Sequence, residues 1–173
     1  MSNKKIKNAT IVNDGVITFK SKLEKTVFDT LLQLGFNPQY EPTTFVLIPS
    51  FNSNIPFYDK ETDKQYEKRK ASGDKSARKL VEKSGNIQSI KYTPDFYFKY
   101  GDLNVYIEAK GLENDVFYIK KKLFIRLLNT FEEPSIYFEV YTKKQLLQAI
   151  DVIKVYERTL RKNEDTCKES PKE

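Results

Sequence analysis

One stretch, Tyr92 to Gly111, restricts the fold more than any other. It reads Tyr-Thr-Pro-Asp-Phe-Tyr-Phe-Lys-Tyr-Gly-Asp-Leu-Asn-Val-Tyr-Ile-Glu-Ala-Lys-Gly. Phe96 to Lys99 and Leu103 to Ala109 are rich in aromatic and β-branched residues, and Tyr100 to Asn104 supplies turn chemistry, so a β-hairpin is predicted. Pro94 suits the start of the first strand, where a missing N–H does least damage. Alternation along the second strand sends Glu108 and Lys110 to one face and Ala109 to the other. Asp95, at the mouth of the partner strand, can project into the same space.

Two carboxylates and one ammonium therefore gather at one end of the hairpin. Neighbouring acids repel unless a cation sits between them. Hard oxygen donors suit Mg²⁺ or Mn²⁺ rather than zinc. A cation so held can acidify bound water and offset charge on a phosphate oxygen, with Lys110 beside it to orient the attacking water. The plain alternative is a surface Asp with a cross-strand Glu/Lys pair.

Composition narrows the chemistry. The 173 residues support one domain with a real core, and 30 Lys and Arg against 24 Asp and Glu give a formal charge of +6. That balance, with a pI near 9.1, favours an acidic polymer as partner. Histidine is absent, which removes His metal sites, His general bases and every Ser-His or Cys-His triad. Cys167 is the single cysteine, so no internal disulfide forms and a reducing cytoplasm is expected. No apolar run approaches the length of a membrane span, so no membrane partner is expected.

Along the chain, residues 1–18 read as a basic arm followed by a small hairpin turned at Asp14-Gly15. Ser21 to Leu34 reads as a helix, with Leu23, Val27, Leu31 and Leu34 at helical spacing and Gly35 after it. Glu24 stands in capping-box register with Ser21 and would close on the Ser21 N–H, yet it also flanks the apolar stripe and can face the sheet. Gln39 to Ile48 suggests a strand interrupted around Pro42, and Phe51 to Tyr58 a loop. From Asp59 to Asn86 charged residues dominate, which predicts a partly helical, solvent-exposed insertion, about 52–91, with its best helix at Ser76 to Lys83. Asn114-Asp115 can cap a helix from Val116 to Asn129, packed through Val116, Ile119, Leu123 and Leu127, joined by Phe117, Phe124 and Leu128. Lys121, Lys122 and Arg126 lie off that face and Lys120 on its flank. Ile136 to Tyr141 reads as a strand, and Lys143 to about Leu160 as a final helix packed through Leu146, Ala149, Ile150, Ile153 and Tyr156. Residues 161–173 read as a disordered charged tail.

In this order, the blocks resemble the phage endonuclease I family, Holliday junction resolvases of the PD-(D/E)xK nuclease superfamily. The resemblance is carried by Phe19 to Glu24, Tyr40-Glu41 with Val46 to Ser50, Tyr92 to Phe96, Ile107 to Leu112, and Lys120 to Arg126. It implies an α/β fold with a restriction-endonuclease-like core, a central mixed sheet flanked by helices, over residues 19–160. Asp95 and Glu108 would be Mg²⁺ or Mn²⁺ ligands, Lys110 the catalytic lysine, and Glu24 a contributor from the first helix. DNA contacts would come from Lys4, Lys5 and Lys7 in the arm and from Lys120, Lys121, Lys122 and Arg126. The implied activity is junction-resolving endonuclease chemistry in DNA recombination, by a homodimer in the cytoplasm of an infected bacterial host. The same residues would serve a sequence-specific, transposition-type or linear-end nuclease, whereas an inactive DNA- or virion-binding protein on this fold would not need them.

Overall fold

The N-terminal turn forms through its own side chains. Asn13 Oδ1 accepts the Gly15 N–H at 2.8 Å, and Asp14 Oδ1 accepts those of Val16 and Ile17 at 3.1 and 2.9 Å. Gly15 takes φ +92°, which L side chains rarely adopt. This joins β1 (Val12–Asn13) to β2 (Thr18–Phe19) as an antiparallel pair. The computed structural model describes residues 10–83, 85–111 and 115–168, with side chains to residue 162. Lys4, Lys5, Lys7 and Asn114 lie outside the described residues.

Ser21 caps α1 (Lys22–Gln33). The helix ends in a Schellman arrangement, with the Gly35 N–H on Leu32 O and the Phe36 N–H on Leu31 O, both at 3.0 Å. There follow β3 (Gln39–Tyr40), β4 (Phe45–Ile48), β5 (Phe51–Asn52), β6 (Phe57–Lys60), α2 (Asp63–Ala71), β7 (Leu80–Lys83), β8 (Asn86–Ile87) and β9 (Ile90–Tyr92). The chain closes with β10 (Phe96–Tyr100), β11 (Leu103–Ala109), α3 (Asp115–Leu128), β12 (Ser135–Val140) and α4 (Lys143–Lys168). The expected interrupted strand is two strands in different sheets. Glu41, at φ +44°, makes the break.

Packing divides the chain into two units, Met1–Leu47 with Lys91–Glu173, and Ile48–Ile90. The first unit is α/β. Its main sheet runs β12-β11-β10-β3, with β11 antiparallel to β10 and parallel to β12, hence mixed as expected. The register Tyr100↔Leu103 leaves Gly101 and Asp102 as the hairpin loop, tighter than the sequence predicts. A side chain on Gly101 would collide with the buried Glu157 carboxylate.

All seven residues of β11 are buried, as a central strand covered on both faces requires. Leu103, Val105, Ile107 and Ala109 join Val27 and Leu31 of α1 and Leu146, Ala149, Ile150 and Ile153 of α4 in one core. The opposite face carries Tyr106, packed with Phe117, Phe124 and Leu128 of α3 and with Tyr92. Cutting a fully buried core side chain such as Ile107 to Ala costs about 2–5 kcal/mol.

Two helix readings need correction. On α3 Phe117, Phe124 and Leu128 are buried as expected, but Val116 and Ile119 are exposed rather than packed; the aromatic rings fill the space above Tyr106. On α4 Tyr156 faces outward, and helical backbone continues through Lys168 where a disordered tail was expected from 161.

In the second unit β5 pairs with β8 and β6 with β7, both antiparallel. The expected loop at Phe51 to Tyr58 thus contains strand residues. The helix lies at Asp63–Ala71 rather than Ser76 to Lys83, started by a capping box between Thr62 and Gln65. Arg69 explains the exchange. Its guanidinium binds Glu61 at 2.9 and 2.7 Å and the carbonyls of Asp74 and Ala77 at 3.2 and 3.1 Å. These contacts hold residues 74–77 against Arg69 in non-helical backbone. No helix among the described residues is long and apolar enough to cross a membrane.

Candidate active site

Asp95 enters from the residue before β10, and its position is fixed twice. Its carbonyl accepts the Glu41 N–H at 2.8 Å, and its Oδ2 accepts the Ala109 N–H at 2.8 Å, which ties it across the hairpin. Oδ1 takes no hydrogen bond among the described residues. The register Phe96↔Ile107 brings Asp95 opposite Glu108. Residues opposite one another in an antiparallel pair share a face.

Glu108 is 4% exposed, and each of its oxygens has a partner. Lys110 Nζ donates to Oε1 at 2.7 Å, and the Tyr92 hydroxyl donates to Oε2 at 2.6 Å. Tyr137 stands behind, its hydroxyl 3.2 Å from that of Tyr92. The Lys110 ammonium also lies 3.7 Å from the centre of the Phe117 ring, a cation–π arrangement.

The electrostatics are unbalanced. Burial and the charge of Glu108 push the Asp95 carboxyl well above the usual carboxylate range, and Glu24 adds to the push, while the Ala109 N–H and Lys110 oppose it. Burial and the adjoining carboxylate raise the phenols of Tyr92 and Tyr137 as well, which keeps them protonated. Among the described residues the ammonium in contact with this pair is Lys110, on Glu108.

Glu24 shares this field but is engaged on both oxygens. Oε1 accepts from Ser21 Oγ at 2.9 Å, and Oε2 accepts the Lys20 N–H at 2.9 Å and the Tyr40 hydroxyl at 2.6 Å. It therefore closes on the N–H of Lys20, one residue earlier than the capping box predicts. Glu41 pairs with Lys20. Burial disfavours the charged Lys20 ammonium, yet Glu41, Asp95 and Glu24 together raise it.

The basic helix is divided. Lys121 forms an ion pair with Glu139 at 2.7 Å and lies 5.9 Å from the Phe117 ring, the ring that Lys110 also faces. Lys122 and Arg126 are exposed, with Lys122 4.6 Å from the Tyr118 ring, and Lys120 is half-buried. Lys121 is the member of the set that adjoins the carboxylates.

Sequence reasoning missed Lys20, Tyr92, Tyr137 and Glu139 as parts of this cluster. Tyr92 carried a signal, since a tyrosine three residues before Asp95 and buried with it needs a partner for its hydroxyl. Tyr137 and Glu139 carried none. Only the parallel pairing Glu108↔Glu139 brings them alongside.

Among the described residues no three acidic side chains gather into a ready cation cage. The donor set still fits a hard divalent ion, because two oxygen ligands with surplus negative charge match the Mg²⁺ habit of taking one or two carboxylates and completing its shell with water and phosphate. Comparison with known proteins finds no family model, no curated protein and no solved structure that matches this chain.

Proposed function

We propose that this chain is a metal-dependent endonuclease that hydrolyses DNA phosphodiester bonds, with four-way junctions as the substrate class. The observation that carries the reading is Asp95 and Glu108 facing each other across the hairpin, where among the described residues Lys110 is the ammonium in contact, on Glu108. The order α1, β3, β10, β11, α3, β12 around a mixed sheet is compatible with a PD-(D/E)xK core. The net charge of +6 suits a polyanion.

Asp95 and Glu108 would hold Mg²⁺ or Mn²⁺, which when bound supplies positive charge at the scissile phosphate and acidifies water. The Ala109 N–H keeps Asp95 aimed, and Tyr92 keeps Glu108 aimed. Lys110 moves from Glu108 to the phosphate or the attacking water. The water oxygen forms the new bond to phosphorus, the bond to the sugar oxygen breaks, and the proton ends on that leaving oxygen. Nicking two strands of a junction symmetrically calls for a two-fold dimer, which recognises the branch by shape and phosphate contacts.

The test is to incubate the protein with a labelled four-way junction and with its linear duplex arms, with and without Mg²⁺. Paired nicks near the branch that need Mg²⁺ are expected. Preference for the linear arms would keep the chemistry and remove the junction assignment. Binding without cleavage, with or without Mg²⁺, would leave a DNA-binding protein on a nuclease-like fold.

A further inference from the structure

The two oxygens of Glu108 are held in different ways. Lys110, on Oε1, is the end of a flexible side chain that is 21% exposed and can swing away. Tyr92, on Oε2, is 6% exposed and wedged against Phe117 and Phe124, with ring centres 6.4 and 4.8 Å away. A phenol has one proton to give. Tyr92 gives its proton to the carboxylate, so the 3.2 Å contact with Tyr137 has Tyr137 as the donor. The chain therefore runs Tyr137 to Tyr92 to Glu108. It spans β12, β9 and β11, and each link polarises the next.

We propose that Tyr92, backed by Tyr137, is a positioning residue that locks Oε2 of Glu108 and leaves Oε1 for a divalent cation once Lys110 withdraws. The proposal rests on the nuclease reading and deepens it. Without the phenol, Oε2 is a buried acceptor with no partner and the carboxylate is free to rotate about its last bond. Lys110 can then bridge both oxygens, and the ion pair a cation has to open becomes tighter. Partners that orient a ligating carboxylate in this way typically change metal affinity by about 10–100-fold.

The experiment compares Tyr92→Phe, Tyr137→Phe and Tyr97→Phe with wild type and with Asp95→Asn in the full chain. Tyr97 is the control, since its hydroxyl donates to Asn104 at 2.9 Å on the same sheet face but away from Glu108. Mn²⁺ binding is measured by calorimetry without DNA. The Mg²⁺ midpoint of junction cleavage, kcat and KM for the junction, and the melting temperature are measured in parallel. Tyr92→Phe is expected to weaken Mn²⁺ binding by about 10-fold and to raise the Mg²⁺ midpoint, with KM for DNA unchanged. Tyr137→Phe should shift both the same way by less, and it stands in should Tyr92→Phe fold poorly. Tyr97→Phe should match wild type. Equal or tighter Mn²⁺ binding in both Tyr92→Phe and Tyr137→Phe, while Asp95→Asn loses it, would overturn the positioning role alone. Wild type binding Mn²⁺ no better than Asp95→Asn would overturn the nuclease reading together with this one.

Discussion

Two carboxylate clusters, one in each unit of this protein, use similar residues to opposite ends. In the insertion Glu61 is 6% exposed and receives both arms of the Arg69 guanidinium. That pair holds Glu61 below the usual carboxylate range, and Lys79, Ser76 and Arg69 do the same for Asp74. At the hairpin Asp95 is pushed the other way by burial and Glu108. The first cluster has a cation for every carboxylate and organises backbone. Among the described residues the second lacks one, and it sits at the end of the main sheet. A buried acid whose charge is met in full is an element of structure, whereas one left short of positive charge is, on the proposed reading, where a cation would bind.

Cleavage should separate the two clusters most widely. Asp95→Asn or Glu108→Gln is expected to lower the Mg²⁺-dependent rate by at least about 100-fold, as does removal of one preorganised charge-stabilising group in other enzymes. Arg69→Ala should retain metal-dependent chemistry. Rates are read under single-turnover conditions. If Arg69→Ala abolished cleavage while Asp95→Asn kept it, the contrast would be reversed.

The next largest effect is local opening of the insertion. Arg69 holds two carbonyls and a buried carboxylate together, so Arg69→Ala leaves Glu61 without its ion pair and frees the segment before β7. Hydrogen exchange should rise across β6, α2 and β7 and stay unchanged across β10 and β11. Arg69→Lys should not restore protection, because an ammonium cannot reproduce the fork.

Much of the hairpin region was legible in the sequence, and little of the insertion was. Alternation and β-branched content marked Leu103 to Ala109, and the same alternation assigned Glu108 and Lys110 to one face. Nothing comparable marked Leu80 to Lys83 as a strand. That strand follows from a guanidinium reaching back to Glu61 and forward to Asp74 and Ala77, and composition does not carry contacts of that range. Val116 and Ile119 misled for a related reason, since apolar spacing allows several faces of α3 and the rings of Tyr92, Tyr106 and Tyr137 select the one bearing Phe117 and Phe124. Asp95, Glu108 and Lys110 were legible because they lie fifteen residues apart within one hairpin. Tyr137 and Glu139 were not, because they arrive through a parallel crossover.

A stability measurement sharpens the electrostatic side. The folded state holds a proton on Asp95 more tightly than the unfolded chain does. As pH rises from the ordinary carboxylate range toward the raised value, the unfolded chain gives up its proton first, and stability falls. Asp95→Asn removes that loss, and its side-chain oxygen can still accept the Ala109 N–H. In metal-free buffer the variant should exceed wild type by roughly 1–3 kcal/mol at mildly alkaline pH, with the advantage fading below about pH 4. Urea melts across pH decide it. A variant less stable than wild type at every pH would mean that Asp95 is compensated in the way Glu61 is.

The smallest effect tests whether paired and exposed cations differ in the same way on the surface of α3. Each phosphate contact that releases a counterion contributes about 0.9 to the slope of log affinity against log salt. Lys122 and Arg126 are exposed, so replacing either by Ala should flatten the slope by close to that amount if α3 lies along a DNA backbone. Lys121 is already held by Glu139 and gives up that partner to reach a phosphate, so its slope change should be smaller. Glu139→Gln should then tighten DNA binding and steepen the slope by removing that ion pair from Lys121. If Lys121→Ala flattened the slope as much as Lys122→Ala did, the ion pair would not be restraining it. Glu139 would then stand with Glu108 and Asp95, the carboxylates proposed to take a cation, rather than with Glu61 as one already satisfied.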